Sequence, residues 1–269
     1  MRIFTLWLAI LSTLAGPAVA QAPTPASADI EVDLELVLAV DVSLSMTQRE
    51  IEIQRRGYAE AIVSDDVLQA IRFGGPHSQI ALTYIEWAGP SSQRLIVDWT
   101  LVRSREDAEA FAAKLTARIE YPLPRTSISG IIDHTMPRFE NNGFTAERQV
   151  IDVSGDGPNN GGRPVLAARA DAAARGITIN GLPLMTREGR YTQFDLEDLD
   201  AYYEHCVITG PTAFVIPVLR WEDFPDAVRR KLILELSDRR PAGATLQRVD
   251  GYDCLIGEKI WNRYYGDWN

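Results

Sequence analysis

Two stretches of this chain lack the strict polar alternation of a half-buried strand, and each stops on an aspartate. They are LELVLAVD (Leu34 to Asp41) and QVIDVSGD (Gln149 to Asp156). A near-continuous apolar run of this length suits a strand covered on both faces, as in a parallel sheet. Parallel neighbours need long crossovers, and these are usually helices. The pattern therefore favours an α/β chain whose strand ends deliver carboxylates to one rim.

The remaining segments agree. Thr47-Gln-Arg-Glu50 has the spacing of a capping box, and Ile51, Tyr58 and Ile62 recur at helical intervals after it. QIALTYIEW (Gln79 to Trp87) and RLIVDWTL (Arg94 to Leu101) are strand-like around the turn AGPSS, which predicts a hairpin and one antiparallel edge strand. Ser104 to Asp107 can cap a helix with Phe111, Leu115 and Ile119 inward. A further helix is expected from about Ser127, with Ile128, Ile131, Ile132, Thr135 and Phe139 on its inner face and Pro137 ending it. RPVLAARADAAARG reads as a helix closed by Gly176, ITINGLPL as a strand, FDLEDLDAYYEHCV as helical and AFVIPV as a strand. WEDFPDAVRRKLILELSD reads as the last amphipathic helix. Strands alternating with helices imply helices packed around a mostly parallel sheet.

The first twenty residues have the pattern of a signal peptide: Arg2, the short apolar run IFTLWLAILSTLAG, and AVA before Gln21. Cleavage after Ala20 would leave a periplasmic or secreted bacterial protein with no stable membrane insertion. Residues 21–30 follow as a Pro/Ala/Ser linker, 31–240 as the domain and 241–269 as an aromatic tail packed on it. Acidic residues number 37 against 27 basic, a net charge of −10. Such a surface repels nucleic acid and anionic lipid, and suits binding through a cation or to a cationic partner. Cys206 and Cys254 form an even pair, which in an oxidising compartment invites a disulfide; two free buried thiols are the alternative.

The chemistry concentrates at the strand ends. Asp41, Ser43 and Ser45 alternate along extended chain, so their side chains can converge. Thr126 opens a helix, and Asp156 ends a central strand. Taken singly these are ordinary turn and capping residues. Taken together they offer two carboxylates and three hydroxyls without imidazole or thiolate, a set for Mg²⁺ or Mn²⁺ rather than zinc.

DVSLS (Asp41 to Ser45) resembles the D-x-S-x-S of the von Willebrand factor type A domain family. RTSISGII resembles its separate threonine loop, and VIDVSGDG its strand ending in Asp-Gly. The three segments stand in the family's order, and the resemblance covers about Glu31 to Asp238. It implies a doubly wound, mostly parallel sheet with one antiparallel edge strand and helices on both faces. It also implies a metal-ion-dependent adhesion site. There Ser43 and Ser45 would bind the ion directly, Thr126 in the ligand-competent state, and Asp41 and Asp156 directly or through water. Gly155 departs from the Thr or Ser of many members, which leaves one supporting hydrogen bond in question. Exported bacterial members with VIDVSGDGPNNGG and INGLP segments are similar to this chain, and imply location and fold rather than a ligand.

The resulting expectation is an exported, non-enzymatic protein-binding domain. A partner's Asp or Glu carboxylate would complete the metal's coordination. A Mg-dependent hydrolase or a scaffold with a purely structural metal are the alternatives. SGDGPNNGGRP lacks a P-loop's Gly-Lys-Ser/Thr ending, and Asn159 and Asn160 are expected at the rim instead. His77, His134 and His205 are scattered, and there is no G-x-S-x-G elbow. Asp152, inside a strand, reads as a satisfied buried carboxylate rather than a ligand.

Overall fold

The computed structural model describes residues 28–186, 192–237 and 251–266. The signal-peptide and cleavage-site expectation, and most of the linker, lie outside the described residues.

The chain enters through β1 (Ile30–Glu31), which pairs in parallel with the later β5 (Phe144–Thr145). β2 (Leu34–Asp41) follows, fully buried along its length, and leads through the capping box into α1 (Gln48–Ile62). Thr47 accepts from the Glu50 amide while the Glu50 side chain takes the Thr47 amide, as the spacing predicts. α2 (Asp65–Phe73), not expected from the sequence, is capped by Ser64. The hairpin of β3 (Ile80–Trp87) and β4 (Gln93–Val102) is antiparallel. α3 (Arg105–Thr116) starts at Ser104 as expected but stops short of Ile119, which packs on the core from the following loop.

α4 (Ile128–Thr135) is capped by Ser127, and Pro137 sits in a 3₁₀ turn that closes it. β6 (Gln149–Gly155), α5 (Val165–Ala174) and β7 (Thr178–Pro183) complete the sheet. Helix α6 is only Leu199–Tyr202, running into a π-turn over Tyr203–Val207. The helix expected from Phe194 starts late because Thr192 ties up the preceding turn. Its hydroxyl accepts from the Phe194 amide and donates to Asp195.

AFVIPV is not a continuous strand. Val215 and Val218 make isolated parallel bridges to Gly181 and Leu184 at the β7 edge. Ile216 donates to the Gly181 carbonyl and Val218 to the Pro183 carbonyl. Pro183, between them, has no N–H to give back, so the ladder misses a rung. α7 (Phe224–Leu236) follows, and α8 (Ile256–Tyr265), not expected from the sequence, forms within the tail.

The five-stranded sheet runs β4-β3-β2-β6-β7, with only the β3–β4 pair antiparallel. Leu34, Leu36, Leu38 and Val40 pack with residues of α1, α2, α3 and α7. Val37 and Ala39 point the other way, toward α4, α5 and α6. Both faces are thus covered, which is why β2 needs no polar alternation. Strand order reverses at β2, so the ends of β2 and β6 lie side by side at the crevice where such sheets bind ligands.

Asp152 lies inside β6 and faces an ion pair. Its buried carboxylate lies 2.6 Å from Lys231 Nζ, which also meets Glu235 at 2.5 Å. None of the described helices is long and apolar enough to cross a membrane.

Candidate metal centre

Four of the five expected donors form one chain of hydrogen bonds. The Ser43 amide donates to Asp41 Oδ1 at 2.7 Å, curling the segment after β2 back over its own carboxylate. Ser43 Oγ and Ser45 Oγ are 2.9 Å apart, and Ser45 Oγ donates to Asp156 Oδ1 at 2.8 Å. Residues 115 positions apart in sequence, Asp41 and Asp156, thus meet through two serines.

Thr126, the fifth, is held through its backbone by the loop after β6. Its amide donates to Asn160 Oδ1 and its carbonyl accepts from the Asn160 amide. The Leu123 amide bonds the Val42 carbonyl, and the Ser127 amide bonds Ala88. The threonine loop is therefore braced against the β2, β3 and β6 exits. Arg125, in the left-handed region at φ 70°, makes the bend that delivers Thr126.

Electrostatics set the site's character. Asp41 is fully buried, and its carboxyl is held well above the usual carboxylate range by desolvation and then by the Asp156 charge. Desolvation also pushes Asp156 up to about 6; the Ser45 hydrogen bond opposes this, and the charges of Asp195 and Glu50 add to it. Asp41 Oδ2 has no hydrogen-bond partner among the described residues. Two neighbouring like charges, one of them fully buried, require a proton or a cation. Among the described residues no cluster of three or more His, Cys, Asp or Glu side chains could hold a metal. The donor set here is two carboxylates with hydroxyls, which fits a hard ion.

The aromatic tail reaches the same rim. Cys206 and Cys254 are disulfide-bonded, joining the π-turn to the start of α8. Glu258 accepts from Asn159 Nδ2 at 2.8 Å, while Asn159 Oδ1 accepts from the Ser129 amide. The Arg125 guanidinium lies 3.9 Å over the Trp261 ring, which also stacks on Phe194. Sequence reading placed Asn159 and Asn160 at the rim but missed Arg125, Tyr203, Glu258 and Trp261. The available signal was an amphipathic Ile256–Ile260–Trp261–Tyr264 spacing.

Gly257 is the closest approach of this helix. A Cβ there would fall 2.1 Å from the Asn159 carbonyl oxygen. Gly257→Ala should lift α8 at a cost of about 1–3 kcal/mol. Amide exchange should quicken in α8 and in residues 157–163 while β2 and β6 stay protected. Unchanged exchange in α8 would contradict the packing.

A family model described as "Protein of unknown function (DUF1194)" matches residues 31–240. None of the curated proteins compared with the chain matches it. Proximal thread matrix protein 1 from the mussel byssus superimposes with a TM-score of 0.56 at 12% identity, over 78% of this chain and 49% of that one. A second structure of that protein, described as having a zinc-occupied MIDAS motif, gives a TM-score of 0.54 at 12% identity, with 78% and 49% covered. The pilus adhesin SpaC from Lactobacillus rhamnosus GG gives 0.52 at 12% identity, over 78% of this chain and 31% of the adhesin. This chain thus spans about half the length of the mussel protein. The fold is the von Willebrand factor A type.

Proposed function

We propose that this chain, which belongs to the family described as "Protein of unknown function (DUF1194)", is an exported domain that captures a partner protein through a bound divalent cation. The observation that carries the reading is the pair of carboxylates, buried Asp41 and half-buried Asp156, linked only through the Ser43 amide and the Ser43 and Ser45 hydroxyls. Asp41, Ser43, Ser45, Thr126 and Asp156 would hold Mg²⁺ or Mn²⁺. When bound, the ion supplies positive charge for an Asp or Glu carboxylate of the partner.

The chain's own residues set the terms of that encounter. Ser45 orients Asp156, the Ser43 amide orients Asp41, and Asn160 fixes the height of Thr126. The protein carries a net charge of −10, so an acidic partner is repelled until the cation reverses the sign locally. Binding rather than turnover is the role this donor set supports, because its only acid–base groups are the carboxylates that hold the ion.

Capture of periplasmic proteins should require Mg²⁺ and disappear with chelator. Protons compete with the ion for both carboxylates, so capture should weaken as pH falls through about 6, where Asp156 takes its proton. Recovery of the same partners in chelator, or with Asp156→Ala, would sink the reading.

A further inference from the structure

Three buried polar groups around Gly155 have no hydrogen-bond partner among the described residues: Asp41 Oδ2, Tyr203 Oη and Trp87 Nε1. Buried polar atoms are paired in the great majority of cases, so three orphans at one point mark a place with work to do. A Cβ on Gly155 would lie 2.9 Å from Asp41 Oδ2, 2.9 Å from Tyr203 Oη and 3.2 Å from the Trp87 ring. The carboxylate and the phenol therefore look into the same small space, which exists because residue 155 has no side chain.

Tyr203 reaches that space by a cleared path. A Cβ on Gly181, on the neighbouring strand β7, would stand 2.6 Å from Tyr203 Cδ1. Val153 of β6 pairs with Gly181, and Gly155 with Pro183, so the two glycines lie diagonally across adjacent strands. The ring lies over Gly181, and its hydroxyl ends at Gly155. The backbone that aims it is the π-turn Tyr203–Val207, pinned by the Cys206 disulfide. π-turns are rare and concentrate at functional sites. A tyrosine hydroxyl is an O–H donor at neutral pH.

We infer that Tyr203 is a positioning residue for the metal centre: its hydroxyl donates to Asp41 Oδ2, directly or through one water, and holds that carboxylate toward the cation. It supplies from a distant turn the hydroxyl that residue 155 lacks. The inference rests on the metal-binding reading of Asp41 and Asp156. Outer partners of ligating carboxylates govern affinity although they never touch the ion.

The test is Tyr203→Phe, which keeps the ring and removes one oxygen. Calorimetric Mg²⁺ and Mn²⁺ titrations of the full exported chain should show affinity falling about 10–100-fold. Melting in chelator should stay unchanged or rise, because the lost hydroxyl has no hydrogen-bond partner among the described residues. A residue that only fills the core would move the melting temperature and leave the affinity alone. Equal affinity of Tyr203→Phe and wild type would overturn the role of Tyr203 while leaving the metal site standing. Wild-type protein that binds neither ion would overturn both.

Discussion

Asp41→Asn should abolish detectable Mg²⁺ binding and make the metal-free protein more stable at neutral pH. The two effects have one cause. Asp41 is completely buried, its Oδ2 has no hydrogen-bond partner among the described residues, and the Asp156 charge stands nearby. Its folded pKa is raised above the unfolded value, so the folded state holds the extra proton. Stability from this group is therefore greatest at low pH and is lost as pH rises through the folded pKa. An amide keeps the Oδ1 acceptor for the Ser43 amide and carries no charge to neutralise. We expect a gain on the order of 1–3 kcal/mol at neutral pH, as for relieving an unsatisfied buried polar group. Thermal melts in chelator at pH 5 and 7.5 check this: the gap between wild type and Asp41→Asn should be larger at pH 7.5 than at pH 5, and closes fully only below the unfolded carboxyl's pKa of about 3.9. A variant less stable than wild type at pH 7.5, or one that still binds Mg²⁺, would contradict the electrostatic account.

Lys231→Met should produce the largest loss of stability. Lys231 lies 2.6 Å from Asp152 and 2.5 Å from Glu235, with all three side chains at most 1% exposed. Asn180 Nδ2 adds a bond to Glu235 at 2.9 Å. Removing the cation strands two carboxylates in the core, and breaking a buried pair this way costs about 3–5 kcal/mol. That is a large part of a typical domain's stability of about 5–15 kcal/mol. Asp152 already titrates at about 7, raised by desolvation against the pull of Lys231. Without Lys231 it takes a proton more readily, so the deficit should shrink as pH falls below 7. Urea unfolding at pH 5.5 and 8 measures both effects; a deficit under about 1 kcal/mol at pH 8 would show that the lysine is not the charge balancing this core.

The legible parts of this protein were those written in local chemistry. The capping box at Thr47 and Glu50, the buried run of β2 and the serine at the start of α4 act over a few residues, and the structure repeats them. The order of Asp41, Ser43, Ser45, Thr126 and Asp156 was readable for a related reason: strand ends in a parallel sheet share one rim. What stayed hidden depends on long-range packing. AFVIPV looks like a strand, and only its pairing with Pro183 breaks the ladder. The Phe194 segment has helical composition, yet Thr192 captures its first amides, Phe194's on the hydroxyl and Asp195's on the carbonyl. Tyr203 sits in a run that reads as plain helix; the π-turn and the two glycines that give its ring passage are visible only once β6 and β7 are side by side. The cysteine pairing was open in sequence, and the structure joins Cys206 of the π-turn to Cys254, just ahead of α8.

The bridge between Cys206 and Cys254 also decides how the chain carries mechanical load. The two cysteines are 48 residues apart, and everything between them, α7 included, lies inside a covalent ring. Tension applied at the C-terminus travels through α8 to Cys254, crosses the sulfur bond and enters the domain at Cys206. It bypasses α7 and the broken edge segment, which are shielded from unravelling. The force arrives three residues from Tyr203, on the turn packed behind Asp41. A pull on the tail is therefore delivered to the turn whose Tyr203 hydroxyl stands beside Asp41 and Gly155, and not to α7.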